Sequence, residues 1–272
     1  GSMLTKDTTV TEMTNMMVGH TVTLNIDRPD PVDPKPRIEV ENLTVRNEEG
    51  VVKLKDVSFT ANSGEILGIA GISGCGQKEL LEAIAGLQPV ESGTIAYMEP
   101  DGTKEMLIGK DPLKIAEMGV SLSFVPEDRL GMGLVGNMDL TDNMMLRSFR
   151  KGKTPFVNRK PARELAEHVV ESLEVVTPGI HTPVRRLSGG NVQKVLLGRE
   201  IASSPTVLLT AYAVRGLDIN SSYTIYDLLN EQKKKGVAVI FVGEDLDVLV
   251  ELSDRIMVLC GGEVSGIVDA RT

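Results

Sequence analysis

The feature that most constrains this chain is a glycine-rich turn between an apolar run and an amphipathic stretch. Residues 65–70 are typical of a buried parallel strand, and Leu80, Leu81 and Ile84 fall on one face of the helix predicted after the turn. In a strand–loop–helix unit, glycines let backbone N–H groups point inward, and the helix N-terminus adds positive potential. The turn, which runs from Gly71 to Gly76, therefore predicts a phosphate-binding loop.

The end of this loop departs from the pattern G-x-x-x-x-G-K-[ST]. Gln77 stands where the pattern has Lys, and Lys78 stands where it has Ser or Thr. The first change removes a charge-assisted contact to phosphate, worth about 1.5–3 kcal/mol, and the second removes a magnesium ligand. A purely structural loop is the alternative to a nucleotide site. The predicted nucleotide-binding residues are Gly71, Gly74, Cys75, Gly76, Gln77, Lys78 and Glu79.

The bulk composition excludes several classes of protein. The chain has 272 residues, 41% of them hydrophobic, which is enough for one large α/β domain or a core with a subdomain. A net charge of −9 argues against a nucleic-acid binder, since such proteins usually carry a basic stripe. Cys75 and Cys260 lie far apart and predict no disulfide framework, which fits a reducing compartment. No apolar run approaches the roughly 20 residues that a membrane-spanning helix needs.

Proline and charge patterns divide the chain into three parts. Residues 1–36 are polar and end in a proline-rich stretch, which predicts a tag remnant and a linker outside the core. Gly1 and Ser2 before Met3 indicate a cloning scar, so we expect an expressed fragment. Residues 37–268 carry the strand and helix patterns of the folded domain, and residues 269–272 form a tail.

The folded part mixes two kinds of β-structure. Alternating apolar and polar residues over 37–45 and 51–60, and turn residues between 93–97 and 105–108, predict antiparallel hairpins. From residue 206 onward strands alternate with helices, which predicts a parallel sheet with helices on both faces. The region of about 130–203 lacks strand alternation and is expected to form a helical subdomain. The three lysines at positions 233–235, Lys233 among them, are expected to form a solvated helix end, and the helix over 192–202 is expected to be only partly buried.

Five segments stand in the order and approximate spacing of an ATP-binding cassette (ABC) domain, which the chain resembles over about residues 37–268. They are the phosphate loop, residues 125–129, residues 187–190, residues 215–218 and residues 243–245. The resemblance implies an α/β fold of the P-loop NTPase, ABC ATPase type, with a parallel-sheet core, an antiparallel β layer and a helical subdomain. It also implies ATP as the cofactor.

The chain looks most like the second cassette of the tandem ATPase subunits of bacterial monosaccharide and nucleoside importers. Three details carry this closer resemblance. The phosphate loop ends in Gly-Gln-x-Glu-Leu-Leu, Pro-Glu-Asp-Arg precedes a glycine-rich stretch, and Arg-Gly-Leu-Asp stands where most cassettes have Ser-Ala-Leu-Asp. The implied protein couples ATP binding and hydrolysis to solute import.

Several catalytic positions of the family are altered here. The family ends the strand before the Arg-Gly-Leu-Asp segment with Asp-Glu, which holds magnesium and directs water. Those two positions are Ala211 and Tyr212, and Tyr, with a reference pKa of about 10, is no base at neutral pH. The switch histidine corresponds to Glu244, and the glutamine of the Q-loop, which couples to the membrane subunit, corresponds to Glu127. The resemblance therefore implies a degenerate site with weak or absent Mg²⁺ binding and little or no ATP hydrolysis.

The signature segment of the family is intact, and it consists of Leu187, Ser188, Gly189, Gly190 and Asn191. In the family it closes over ATP held by the opposite cassette, where backbone amides at a helix start contact the γ-phosphate. Asp218 would line the seam between the two cassettes. The resemblance thus implies an asymmetric pair in which this chain completes the catalytic site of its partner.

The implied partners are a first cassette, on the same polypeptide or a second subunit, the transmembrane permease subunits and, indirectly, an extracellular solute-binding protein. The implied location is the cytoplasmic face of the bacterial plasma membrane. A non-catalytic pseudo-ATPase that docks to a transporter without binding nucleotide is the alternative. A DNA-repair ATPase built on the same cassette is disfavoured by the negative charge and the lack of zinc cysteines, and a small-molecule kinase by the intact signature.

Overall fold

The computed structural model describes residues 8–9, 12–13, 16, 26–47, 49–117, 122–125, 128–149 and 157–272. The strands of these residues form two sheets. In chain order the strands are β1 (Pro36–Arg46), β2 (Val52–Asn62), β3 (Ile66–Ala70), β4 (Ser92–Met98), β5 (Lys104–Met106), β6 (Leu122–Val125), β7 (Val207–Ala211), β8 (Ala238–Val242), β9 (Arg255–Cys260) and β10 (Glu263–Asp269).

The larger sheet has the strand order β10-β9-β3-β8-β7-β6 and is parallel except for the antiparallel pair of β9 and β10. The smaller sheet has the order β2-β1-β4-β5 and is antiparallel throughout. Every residue of β3, β7 and β8 is buried, as expected for parallel strands that are covered on both faces. The predicted hairpins and the predicted parallel core are confirmed.

The described helices are α1 (Gln77–Ile84), α2 (Pro112–Glu117), α3 (Leu140–Met145), α4 (Lys160–Ser172), α5 (Gly189–Ile201), α6 (Ile219–Lys234) and α7 (Leu246–Leu252). A π-helical turn, Arg129–Gly133, follows β6, where the sequence predicts only a glycine-rich loop. None of these described helices has the length and apolar character needed to cross a bilayer.

Two hydrophobic clusters lie on opposite faces of the larger sheet. The first joins that sheet to α1 and the smaller sheet and includes Leu209, Leu81 and Ile95. The second joins the other face to α3–α7 and includes Leu208 and Leu196. Neighbouring residues of β7 enter different clusters, because successive side chains of a strand point to opposite faces.

Helix α5 is more deeply buried than the sequence predicts. Val195 and Leu196 are fully buried, and even Arg199 is only 6% exposed. A Cβ added to Gly198 would lie 2.8 Å from Cγ1 of Val169 in α4, so the two helices approach closely at this glycine. The prediction of partial burial is therefore wrong, because α5 lies between the sheet and α4 instead of at the surface.

Residues 26–35, which the sequence places in the linker, lie against the domain, and we call them the N-terminal strap. Ile26 is 7% exposed and belongs to the second hydrophobic cluster. Arg28 donates hydrogen bonds to the backbone carbonyls of Val250 and Ser253. The expectation that this stretch lies outside the core does not hold for Ile26, while the division into linker, domain and tail stays a prediction.

Asp254 anchors the strap through a buried polar network. Its Oδ1 accepts hydrogen bonds from Nζ of Lys233 at 2.7 Å and Nη2 of Arg271 at 2.6 Å, and its Oδ2 accepts from the N–H of Ile66 at 2.9 Å. Lys233 also donates to the carbonyl of Pro29 in the strap. The prediction of a solvated Lys233 is wrong: the residue is 2% exposed, and burial lowers its pKa against the opposing effect of Asp254.

Candidate nucleotide-binding site and signature face

Three parallel strands end at the edge of the larger sheet where the predicted site residues lie. Ile69 of β3 and Ala211 of β7 both pair with Val242, the last residue of β8. The N–H of Tyr212 donates to the carbonyl of Val242 at 2.9 Å, which continues the pairing one residue further. The structure therefore brings the phosphate loop, Tyr212 and Glu244 to one edge, the usual position of ligands in parallel α/β sheets.

The glycines of the phosphate loop leave it open to a ligand. Gly74 and Gly76 have φ values of +87° and +101°, in the left-handed region that favours glycine. A Cβ added to Gly76 would lie 2.5 Å from the carbonyl O of Lys53, whereas a Cβ at Gly74 would meet no atom of the described residues within 4 Å. Cys75 between them is buried. The free space at Gly74 leaves room for a phosphate group beside the loop backbone.

Gln77 begins α1 and closes the loop from inside. Its side chain is 2% exposed, and Nε2 donates a hydrogen bond of 3.0 Å to the carbonyl O of Ile72. A neutral amide, engaged with the loop itself, thus occupies the position at which the pattern has an ammonium. The loop receives no positive charge from this residue.

Lys78 lies along the exposed side of α1. Its side chain is 65% exposed, and Nζ lies 3.7 Å from Oε1 of Glu82, one helical turn later. Burial raises the pKa of Glu82, and the Lys78 ammonium opposes that shift. Glu79 is half-buried. The cation that follows Gln77 in sequence is therefore directed to the helix surface.

The end of β7 carries no carboxylate at the two positions named above. Ala211 is buried, and Tyr212 has a φ of +51°, which is rare for a bulky residue. The Tyr212 ring packs against the first hydrophobic cluster. Among the described residues, no group of three or more His, Cys, Asp and Glu side chains is arranged to hold a metal ion. The side chains of Gln77, Lys78, Ala211 and Tyr212 do not fit Mg²⁺, which prefers carboxylate and water oxygens.

Glu244 and Arg215 form an ion pair across this edge. Oε1 of Glu244 lies 3.5 Å from Nε of Arg215, and both side chains are about half exposed. The Arg215 guanidinium also lies 6.0 Å from the centroid of the Tyr212 ring. Because exposed pairs contribute at most about 1 kcal/mol, the ion pair orients Arg215 more than it stabilises the fold. In the sequence, Arg215 stands out only as the first residue of the Arg-Gly-Leu-Asp segment. Its contacts with Glu244 and Tyr212 are visible only in the structure.

Ser188 caps the N-terminus of α5. Its Oγ accepts hydrogen bonds from Nδ2 of Asn191 at 2.9 Å and from the Asn191 N–H at 3.5 Å. Oδ1 of Asn191 in turn accepts from the N–H of Val176 at 2.9 Å, which fixes its orientation. Ser188 and Gly189 are exposed, whereas Gly190 is buried. The signature segment therefore presents its first two helix-start residues to the outside.

Gly190 and Asp218 bring the signature segment next to the turn before α6. A Cβ added to Gly190 would lie 2.5 Å from Oγ of Ser221 and 3.5 Å from Oδ2 of Asp218. Asp218 caps α6 by accepting hydrogen bonds from the N–H and Oγ of Ser221, and these bonds lower the pKa of its carboxyl. The two predicted segments thus form one surface, which we call the signature face (Ser188, Gly189 and Asp218).

Arg129, at the start of the π-helical turn, lies beside this face. Its Nη2 donates to the carbonyl O of Arg215, and a Cβ added to Gly189 would lie 3.5 Å from its Nη1. Oδ1 of Asp128 caps the turn by accepting from the N–H of Gly131 at 2.8 Å. Arg129 is the last residue of the Pro-Glu-Asp-Arg segment, so the sequence draws attention to it. Residue spacing alone does not predict that its side chain lies beside the signature segment.

The other end of the π-helical turn is attached to α5. Nη2 of Arg199 donates to the carbonyl O of Gly133 at 2.7 Å. The buried carboxylate of Glu200 accepts from Nε of Arg199 at 2.9 Å and Nε of Arg147 at 3.1 Å. The C-terminal end of the π-helical turn is therefore attached to α5, the helix that begins in the signature segment. Glu127, the predicted Q-loop residue, lies outside the described residues.

Comparison with known proteins identifies the family. A sequence profile of the family "ABC transporter" matches residues 54–210. The chain is 35% identical to the glucose import ATP-binding protein of Haloferax volcanii, over 97% of this chain and 48% of that protein. It is 32% identical to the guanosine import ATP-binding protein of Bacillus subtilis, over 95% of this chain and 50% of that protein. The dimeric structure of a bacterial ABC transporter cassette superposes with a TM-score of 0.72 at 25% identity, covering 86% of this chain and 99% of that one.

The structural match confirms the predicted P-loop ATPase fold, and the profile match includes both the phosphate loop and the signature segment. The chain spans about half the length of the curated relatives it matches. The chain belongs to the ABC transporter family, as a nucleotide-binding domain homologous to the ATP-binding subunits of sugar and nucleoside importers.

Proposed function

We propose that this chain is the nucleotide-binding cassette of an importer for monosaccharides or nucleosides and couples ATP binding and hydrolysis to transport. Besides the glucose and guanosine relatives, the xylose import ATP-binding protein of Moorella thermoacetica is 37% identical over 84% of this chain and 45% of that protein. Glucose and xylose are sugars and guanosine is a sugar-containing nucleoside, which supports this substrate class. The activity is that of an ABC-type ATPase in a primary transporter.

The phosphate loop of this chain binds nucleotide but supports little or no hydrolysis. The open space at Gly74 supports binding, because it leaves the loop backbone accessible to phosphate oxygens. Ala211 supplies no carboxylate for Mg²⁺, and Tyr212 and Glu244 do not provide the general base and the imidazole of an active site. The residues present hold the phosphates without holding the metal.

The observation that carries this proposal is the contrast between the sheet edge that holds the phosphate loop and the signature face. Ser188 and Gly189 are exposed at the start of a helix that is otherwise buried, and free N–H groups at a helix start attract phosphate. This face receives the γ-phosphate of ATP held by a second cassette, on the same polypeptide or a second subunit. The half-length match to the relatives is consistent with such a second cassette.

The remaining partners follow from the proposed role of the chain as the cassette of an importer. Transmembrane permease subunits bind the cassette at the cytoplasmic face of the bacterial plasma membrane, and Glu127 with the helical subdomain (about residues 130–203) contacts them. An extracellular solute-binding protein acts indirectly through the permease. The cassette itself comprises residues 37–268, with the preceding residues as a linker and residues 269–272 as a tail.

Two measurements on the purified chain test the half of the proposal that concerns its own loop. Titration with a fluorescent ATP analogue should show saturable binding, while hydrolysis of radiolabelled MgATP should stay near the rate in buffer. Turnover at the rate of an ordinary ATPase would contradict the degenerate site. A complete lack of binding would favour the alternative, a docking module that never holds nucleotide.

Ser188→Arg in the full-length protein, with its partner cassette present, tests the other half. The long side chain fills the space proposed for the γ-phosphate, so ATP hydrolysis should fall to background. The isolated chain should stay folded and lose about 1 kcal/mol of stability with the helix cap. Ser265→Arg, at an exposed position of the edge strand β10, is the matched control and should retain activity. Full activity of the Ser188→Arg protein would refute the role of the signature face.

A further inference from the structure

The guanidinium of Arg129 lies between two backbone segments that border the signature face. Nη2 donates to the carbonyl O of Arg215, which fixes the position of the guanidinium. Nη1 lies 3.5 Å from the site of a Cβ on Gly189, which is an ordinary van der Waals distance. A cationic group therefore stands directly beside the exposed glycine at the start of α5.

The positive charge of Arg129 has no counter-ion in the described part of the chain. Burial lowers its pKa, and no Asp or Glu of that part opposes the shift. The adjacent Asp128 accepts from the N–H of Gly131, and Asp218 accepts from Ser221. Because desolvation disfavours an unpaired cation, an anion that arrives from outside would stabilise it.

The structure also provides room beside this cation. A cavity of about 390 Å³ opens between the π-helical turn and α5, within the size range of small-molecule sites. Leu187 and Val192 give it two apolar walls, and Arg129 lines its polar side. Its lining residues are Asp128, Arg129, Leu130, Leu187, Gly189 and Val192.

We infer that Arg129 contacts the phosphate chain of the nucleotide held by the partner cassette and adds a positive charge to the signature face. The inference rests on the proposed function, in which Ser188 and Gly189 meet the γ-phosphate. Nη1, on the Gly189 side, makes the contact, while Nη2 keeps its bond to Arg215. The signature segment thereby gains an ionic group that its own sequence does not contain.

The test compares Arg129→Gln, Arg129→Lys and Lys235→Gln in the full-length protein with its partner cassette. Lys235→Gln, at the exposed C-terminal end of α6, removes one positive charge away from the face and should retain activity. Arg129→Gln should lower kcat/KM for ATP about 10- to 100-fold, the range for one charge-assisted hydrogen bond. Arg129→Lys should recover part of this loss, because the charge is kept while the bond to the Arg215 carbonyl is lost. Thermal unfolding of the isolated chains shows whether each variant folds like the parent.

Each outcome of this comparison decides the inference. If Arg129→Gln behaves like Lys235→Gln while Ser188→Arg is inactive, the Arg129 contact is refuted and the proposed function stands. If Arg129→Lys is as impaired as Arg129→Gln, the residue positions the turn through Arg215 and the ionic contact is again refuted. If Ser188→Arg is fully active, the proposed function itself fails. Loss in Arg129→Gln with recovery in Arg129→Lys supports the contact.

Discussion

Gln77 and Lys78 are sequence neighbours with opposite surroundings. The amide of Gln77 is buried and bonded to the Ile72 carbonyl, whereas the ammonium of Lys78 lies in solvent near Glu82. A residue shift of one place along a helix rotates the side chain by about a quarter of a turn. The lysine is therefore no substitute for the missing cation of the loop, although it is only one position away.

This difference gives a prediction for nucleotide affinity. Lys78→Ala should change the Kd of the isolated chain for a fluorescent ATP analogue by less than about twofold, since only an exposed pair is lost. Gln77→Ala should weaken binding about fivefold, because the loop loses a hydrogen bond worth about 1 kcal/mol. A tenfold or greater loss in Lys78→Ala would mean that the ammonium reaches the phosphates after all.

The two signature glycines differ in the same way. A Cβ on Gly190 would lie 2.5 Å from Oγ of Ser221, which is held by Asp218, whereas a Cβ on Gly189 would be in ordinary contact with Arg129. Gly190→Ala should therefore cost about 1–3 kcal/mol of unfolding free energy, as overpacked sites do. Gly189→Ala should stay within about 0.5 kcal/mol of the parent. Urea unfolding of the isolated chain measures both, and equal losses would contradict the close approach of α5 and α6.

At the scale of elements, α6 carries a titrating residue in its buried face. Tyr226 packs edge-on against Tyr223 with ring centroids 5.6 Å apart, and burial raises its pKa to about 12. The unfolded chain releases the Tyr226 proton near pH 10, while the folded chain retains it up to about pH 12. Between these values the folded state binds more protons, so stability must fall as the pH rises.

Tyr226→Phe should remove this component of alkaline destabilisation. The difference in unfolding free energy between parent and variant should be constant below pH 10 and should shift in favour of the variant between pH 10 and 12. Guanidinium titrations across that range give the comparison. A difference that does not change with pH would show that Tyr226 ionises with an ordinary pKa in the folded chain.

At the scale of the whole molecule, Asp254 joins parts of the chain that are remote in sequence. Lys233 from α6, Arg271 near the C-terminus and the N–H of Ile66 at the start of β3 all donate to its carboxylate. The strap is held through the same Lys233 and through Arg271, which also donates to the Pro29 carbonyl. The anchor therefore fastens both terminal regions to the strand that leads into the phosphate loop.

Asp254→Asn should destabilise the isolated chain by about 3–5 kcal/mol, because it leaves the buried Lys233 without its counter-ion. Glu167→Gln removes one negative charge from an exposed position of α4 and should change stability by less than about 0.5 kcal/mol. Urea midpoints of the two variants, measured side by side, test the difference. Similar midpoints would show that the network is not needed for stability.

The sequence predicts what depends on local patterns. The phosphate loop was recognisable because the apolar run of β3, a glycine-rich turn and the amphipathic stretch of α1 follow one another directly. The fold class followed from the same alternation of strands and helices. These features depend on hydrogen bonds and burial within short segments, for which residue spacing is a sufficient guide.

Contacts between distant segments were not predictable in the same way. Arg129 bonds to Arg215, 86 residues later, and Lys233 bonds to Pro29, 204 residues earlier. A run of three lysines favours a solvated position, and only the tertiary fold places the first of them opposite a buried carboxylate. The packing of Tyr212 against the first hydrophobic cluster likewise involves residues that its neighbours in sequence do not reveal.

The strap has a practical consequence for work with isolated cassettes. A shortened protein that starts at β1 would expose the slot filled by Ile26 and deprive the Lys233 ammonium of its Pro29 acceptor. A protein truncated at the start of β1 should express poorly, even though it keeps every sheet and helix of the cassette. We therefore expect a stable isolated cassette to need the residues from about 26 onward, and comparison of the soluble yields of the two fragments tests this.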